Sequence, residues 1–160
     1  MAKKLVTFFS ASGVTGEVAK RLANGIGADL AQILPTELYS KADLDWTNST
    51  SRSSLEMKDP SSRPAFVPMD ISIAEYDTIF VGFPIWWYVA PHIINSFLEA
   101  YDLSGKTIVP FATSGGSGMG KTNEGLCSSC KGATLLEGRV FPADASEKQL
   151  ADWANALCKH

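Results

Sequence analysis

The stretch Leu5-Val6-Thr7-Phe8-Phe9-Ser10-Ala11-Ser12-Gly13-Val14-Thr15-Gly16 passes from a nearly continuous apolar run into a loop of small and hydroxyl-bearing residues. Val18, Ala19, Leu22, Ala23 and Ile26 then recur at the spacing of one helix face. The unit reads as strand, tight loop, helix, with Gly27 placed to end the helix. Leu30 to Leu34 offers a short second strand stopped by Pro35.

Beyond this unit the pattern lapses and then returns. From Tyr39 to Pro68 the chain is mixed and polar, with a serine-rich stretch over 47–63, and reads as a long connection containing an irregular helix. Thr78 to Val81 is an apolar, β-branched and aromatic run ending at Gly82. Ile93, Ile94, Phe97, Leu98 and Tyr101 form a helical stripe, and Thr107 to Thr113 supplies the next strand. A weaker helix is expected within Lys121 to Lys131 and a strand near Thr134 to Val140. Ser146 with Gln149 makes a capping signal for a last helix that buries Leu150, Trp153, Ala154 and Leu157. Strands alternating with helices predict an α/β fold with parallel pairing, in which ligands sit outside the carboxyl ends of the strands.

The 160 residues, 45% of them hydrophobic, suit one domain spanning 1–160. Fourteen basic and 17 acidic residues give a net charge of -3 with no basic stripe, which argues against a nucleic-acid surface. Cys127, Cys130 and Cys158 are too few and odd in number for a disulfide scaffold, so a reducing, cytoplasmic setting is expected. Lys3 and Lys4 before Leu5 to Phe9 superficially resemble a leader peptide, but the apolar stretch is very short. The uncharged run Thr78 to Pro91 holds Gly82 and Pro84 and is too short to span a bilayer, so no membrane insertion is expected.

Three loops share the ligand edge. The first, Ser10 to Gly16, offers hydroxyls at Ser10, Ser12 and Thr15, flexibility at Gly13 and Gly16, and the free amides of a helix start. Together these suit a phosphate at the positive end of a helix dipole. No lysine lies in the loop, so it suits gripping a monophosphate more than transferring one. The simpler reading is that Thr15 caps the helix and the small residues turn the chain.

The second loop, Pro84-Ile85-Trp86-Trp87-Tyr88, could cover a planar heterocycle with at least one aromatic ring while its backbone reads the polar rim. Neighbouring tryptophans do not easily point the same way, so one could face a cofactor while the other packs on the protein. Both could instead simply anchor the loop. His92 has no acidic partner nearby in sequence and reads as structural.

The third loop, Thr113-Ser114-Gly115-Gly116-Ser117-Gly118-Met119-Gly120, permits close backbone approach to a flat ligand. Gly115 through Thr122 also fits the P-loop pattern literally. However, Asp77 begins its strand rather than ending it, and Glu137 offers no persuasive magnesium site. Cys127 and Cys130 have the spacing of a dithiol pair but do not sit where a strand enters a helix, so ordinary thiols are expected. These cysteines with His92 and His160 do not assemble a metal site.

Leu5 to Thr15, Tyr76 to Trp87, Asp102 to Thr107 and Phe111 to Gly118, taken in order, resemble the flavodoxin-like proteins, above all their shorter bacterial group. The resemblance covers nearly the whole chain. It implies a doubly wound five-stranded parallel sheet in the order 2-1-3-4-5 with helices on both faces, and a noncovalent FMN. It points to Ser10, Ser12, Gly13, Val14 and Thr15 around the phosphate. Pro84, Ile85, Trp86, Trp87 and Tyr88, with Thr113, Ser114, Gly115, Gly116 and Ser117, would surround the ribityl chain and isoalloxazine. Ser12 stands where threonine is commoner and keeps the hydroxyl, whereas Val14 replaces the commoner asparagine and loses its polarity.

The expected activity is electron transfer between redox proteins through FMN. The enzyme alternative is an FMN-dependent NAD(P)H quinone or nitroaromatic reductase with a small quinone-like substrate. A regulatory or binding domain without a redox cofactor is the alternative of another class. No separate pyridine-nucleotide fingerprint is legible, which favours the carrier.

Overall fold

A computed structural model describes residues 3–10, 13–45, 47–59, 61–68, 71–86, 89–113, 119–120 and 122–157. The first unit forms as its pattern demands: strand β1 (Lys4–Phe8), helix α1 (Val14–Ile26) and strand β2 (Asp29–Gln32). Gly13 at φ 93° lets the chain swing from β1 into α1, and Gly27 at φ 66° closes the helix with its amide on the Ala23 carbonyl. The second strand begins one residue earlier than expected and stops at Gln32. It is the sheet's edge, and Leu30 is 40% exposed on it.

The connection carries helix α2 (Arg52–Lys58), whose N-cap Ser51 accepts from the Ser54 amide. Next come a single 3-10 turn at Ile73–Glu75, β3 (Thr78–Pro84), α3 (His92–Ala100) and β4 (Thr107–Thr113). The short α4 (Thr122–Cys127) and the segments β5 (Thr134–Leu135) and β6 (Arg139–Phe141) follow, and α5 (Glu147–Leu157) ends the fold. Ser146 Oγ accepts from the Gln149 amide at 3.0 Å, the capping contact its sequence announced.

Among the described residues the named strands all pair in parallel and the order is β2-β1-β3-β4-β5, with β6 also on β4. The sheet thus has five strand positions in the order 2-1-3-4-5, the fifth filled by two segments. Alternation along the strands feeds two cores. Leu5, Phe9, Ile79, Val81, Phe83, Ile108 and Ala112 pack with α3 through Ile93, Ile94 and Phe97. Val6, Phe8, Phe80, Val109 and Phe111 pack on the other face with Val18, Leu22 and Leu150 of α1 and α5. Each buried Val, Leu, Ile or Phe side chain contributes about 1.5–3 kcal/mol relative to exposure. Gly82 belongs to this packing, because a Cβ there would strike the Phe111 ring.

The break in the fifth position has a cause in β4. Ile108 pairs with Leu135, and the Leu136 amide donates to the Ile108 carbonyl at 2.9 Å. The next rung of a parallel ladder would run from residue 110 to the Leu136 carbonyl, but Pro110 has no N–H. Asn123 Nδ2 of α4 donates to that carbonyl instead, at 2.9 Å. Three residues, 136–138, then face two of β4 before pairing resumes at Phe111 and Arg139. Gly138 fits there because a Cβ would collide with the Pro110 carbonyl. The same amide fixes the start of α4 beside the third loop.

Candidate functional site

The three loops emerge together at the carboxyl ends of β1, β3 and β4. The first closes on itself: Ser10 Oγ accepts the amides of Gly13 at 3.0 Å and Gly16 at 3.2 Å. Two N–H groups therefore converge on one oxygen position at the N-terminus of α1, where the amides of Val14 and Thr15 also lack acceptors four residues back. Val14 is 39% exposed, so its apolar side chain lies outward and its backbone stays with the loop. Gly16 is packed against Phe8, whose ring would lie 3.2 Å from an added Cβ.

Thr15 and Thr113 are both buried, and their hydroxyls meet at 2.7 Å across the site. The Thr113 carbonyl also accepts the Ile85 amide at 3.0 Å. Thr113 is thus a junction of the first, second and third loops, a contact between residues 98 apart in sequence.

At the second loop, Trp86 and Val89 exchange backbone hydrogen bonds of 2.9 and 3.1 Å. The Trp86 ring lies edge to face with Phe9 at 5.7 Å and Tyr39 at 5.5 Å, and those two rings meet at 5.6 Å. Tyr39 Oη donates to Glu56 Oε1 at 2.6 Å, and Arg52 Nε donates to Glu56 Oε2 at 3.0 Å. The Arg52 guanidinium also lies over the Tyr39 ring, 3.9 Å from its centre. Burial first, then the Glu56 hydrogen bond and charge, hold the Tyr39 phenol far above its ordinary range.

Of the residues expected at the site, the structure brings together Ser10, Gly13, Val14, Thr15, Pro84, Ile85, Trp86 and Thr113. Ser12, Trp87, Tyr88, Ser114, Gly115, Gly116 and Ser117 lie outside the described residues. Tyr39, Arg52 and Glu56 were not among the expected residues. The i,i+4 spacing of Arg52 and Glu56 is visible in sequence, but nothing there places the pair beneath the second loop.

The rival motifs resolve locally. Gly115 and Lys121 of the P-loop match lie outside the described residues, and the buried Thr122 donates its hydroxyl to the Met119 carbonyl of its own turn. Cys127 ends α4 and Cys130 is buried in the next turn. Burial, then the neighbouring Cys127, pushes the Cys130 thiol up to about 11, which disfavours the nucleophilic thiolate. Among the described residues no group of three His, Cys, Asp or Glu could hold a metal ion, and no helix is long and apolar enough to cross a membrane.

The sheet order and the helix-start loop after β1 define the flavodoxin-like α/β class. A family model described as Flavodoxin matches residues 3–157, and the chain belongs to that family. It is similar to the crystal structure of a candidate flavoprotein from Bacteroides eggerthii, with 44% identity, full coverage of both chains and a TM-score of 0.92. A second candidate flavoprotein, from Bacteroides uniformis, is also 44% identical over 96% of this chain and 98% of that one, with a TM-score of 0.90. A Lactobacillus acidophilus flavoprotein in complex with FMN shares the fold at 20% identity and a TM-score of 0.70, covering 96% of this chain and 99% of its own. No curated protein sequence matches significantly.

Proposed function

We propose that the chain binds FMN noncovalently across the three loops and passes electrons between redox proteins. The observation that carries this reading is the junction at Thr113, which ties a polar helix-start loop, an aromatic loop and a glycine-rich loop into one site. The residues present fit the group. Gly13 and Gly16 give their amides to Ser10 Oγ and so shape the loop, the helix-start amides of Val14 and Thr15 suit phosphate oxygens, and Ser10, Ser12 and Thr15 add hydroxyls. Trp86, braced by Phe9 and Tyr39, forms the fixed part of the ring wall. The segment from Thr113 to Ser117 takes the flavin's polar edge. Bound FMN supplies one- and two-electron redox chemistry, and the protein sets which states are accessible. The close relatives being candidate flavoproteins, and a protein of the same fold holding FMN, support the reading.

Anaerobic redox titration of the FMN-reconstituted protein tests it. A well-populated one-electron state with transfer to redox proteins is expected. Rapid NAD(P)H oxidation coupled to quinone turnover would instead establish the reductase reading, which a cavity beside the loops, between α3 and α4, favours. Protein that neither acquires a flavin spectrum nor quenches flavin fluorescence would point to a domain without a redox cofactor.

A further inference from the structure

Behind the second loop, α3 and α4 flank a cavity of about 300 Å³, the lower end of the range for small-molecule pockets. Val89, Ala90 and Leu126 give it apolar walls, while His92, Asn95 and Glu124 contribute polar groups. Val89 is paired with Trp86 and Thr122 starts α4, so the cavity borders the second loop and the first turn of α4.

Hydrogen bonds behind the two α3 side chains fix what each presents. Ser62 Oγ has one proton and donates it to the Glu56 carbonyl at 2.7 Å. Its 2.6 Å contact with His92 Nδ1 must therefore run from Nδ1–H to the oxygen. Burial, then the Arg63 guanidinium, lowers the His92 pKa against a hydrogen bond to the Glu56 backbone and the charges of Glu56 and Asp59, so the ring is neutral near pH 7. Its Nε2 then carries a lone pair. His92 lines the cavity, and Nε2 is the ring nitrogen that Ser62 does not engage.

Asn95 is 6% exposed and spends both amide protons inside the protein, on the Gly125 carbonyl and Ser129 Oγ, each at 2.9 Å. Its remaining polar atom is the acceptor Oδ1. Three residues apart on α3, His92 and Asn95 share a face. Glu124 adds a carboxylate at the rim, while Arg63 is engaged with Glu99 at 2.9 Å. The lining thus places acceptors on α3, with the Arg63 guanidinium and the Thr122 and Ser128 hydroxyls as its other polar groups, around a space sized for one ring.

We propose that it binds a single-ring ligand carrying a primary amide, whose N–H₂ group donates to Asn95 Oδ1 and His92 Nε2. The ligand's place next to a flavin rests on the FMN reading above, whereas its recognition rests on α3 and α4 alone.

Titrating the full-length, FMN-treated protein with benzamide, followed through the nitrogen resonances of Asn95 and His92, tests this. Benzamide is expected to shift both signals saturably, and methyl benzoate, of similar size without donors, to bind about tenfold more weakly or not at all. His92→Phe is expected to weaken benzamide about tenfold without altering the flavin spectrum. Acidification through the lowered His92 pKa turns Nε2 into a donor and should release the amide. Equal binding of the two probes, or no shift at Asn95 and His92, overturns the proposal whether or not flavin is bound. Selective benzamide binding by a protein that takes up no FMN upholds it and removes the FMN reading instead.

Discussion

The loop after β1 is held by its own residues, Ser10 gathering Gly13 and Gly16. The loop after β3 is propped from the connection, through Trp86, Tyr39, Glu56 and Arg52. The first can be understood from seven consecutive residues. The second owes its shape to residues that nothing in its own sequence names. Among the described residues Thr113 joins the two, so the site is one self-sufficient half and one dependent half linked by a buried hydroxyl pair.

The largest effect is expected where the halves join. Thr15→Val leaves the buried Thr113 hydroxyl without its partner and should cost about 2–3 kcal/mol in urea unfolding. Adding Thr113→Val should recover part of that loss, and a strictly additive double mutant would show that the loops are not coupled there.

Tyr39→Phe should follow at about 2 kcal/mol, since it removes a hydrogen bond to a charged carboxylate. Tyr39 holds its proton above its ordinary value of 10 in the folded state, so its contribution is complete below pH 10 and lost as pH rises beyond it. Unfolding measured above pH 10 should fall less steeply in the variant. Tyr76, raised to about 12 by its hydrogen bond to Asp29, and Cys130, raised to about 11 by burial, contribute to the slope that remains. An unchanged slope would mean that Tyr39 is not clamped.

Gly13→Ala forces an alanine to φ 93° with no atom within 4 Å of its Cβ, so the cost is pure backbone strain of about 1–2 kcal/mol. Ser10→Ala removes an acceptor from two partly exposed amides and should cost about 1 kcal/mol. It should also weaken FMN more than riboflavin in fluorescence titration, and equal losses would place the phosphate elsewhere. Smallest of all, Val14→Asn should leave stability within about 0.5 kcal/mol while tightening FMN, because the side chain is outward-facing. Identical affinities would remove any penalty from the valine.

What could be read from sequence divides along the same line. β1, β3 and β4 announce themselves as apolar runs because both faces of a parallel sheet are covered, and α1, α3 and α5 as stripes because one face is buried. The second strand is less legible, since an edge strand with Leu30 and most neighbours exposed carries little pattern. Helix α2 gave no amphipathic signal because its Arg52 and Glu56 serve a polar contact with Tyr39. The split of the fifth strand was written in Pro110, but a missing N–H matters only once its facing carbonyl, Leu136, is known. Ser10 and Thr15 were legible as polar loop residues. The pairing of Thr15 with Thr113 was not, because it depends on the packed sheet.

The interrupted fifth position also bears on how copies of this protein behave when crowded together. A sheet ends in unpaired backbone groups, and a long straight outer strand invites another chain to extend it. Here one margin is the four-residue β2, and the other is broken into segments of two and three residues around a three-residue bulge. Neither offers a continuous template for strand addition. Proline in β4 thus acts one strand away from itself, guarding the assembled molecule against fibrous self-association.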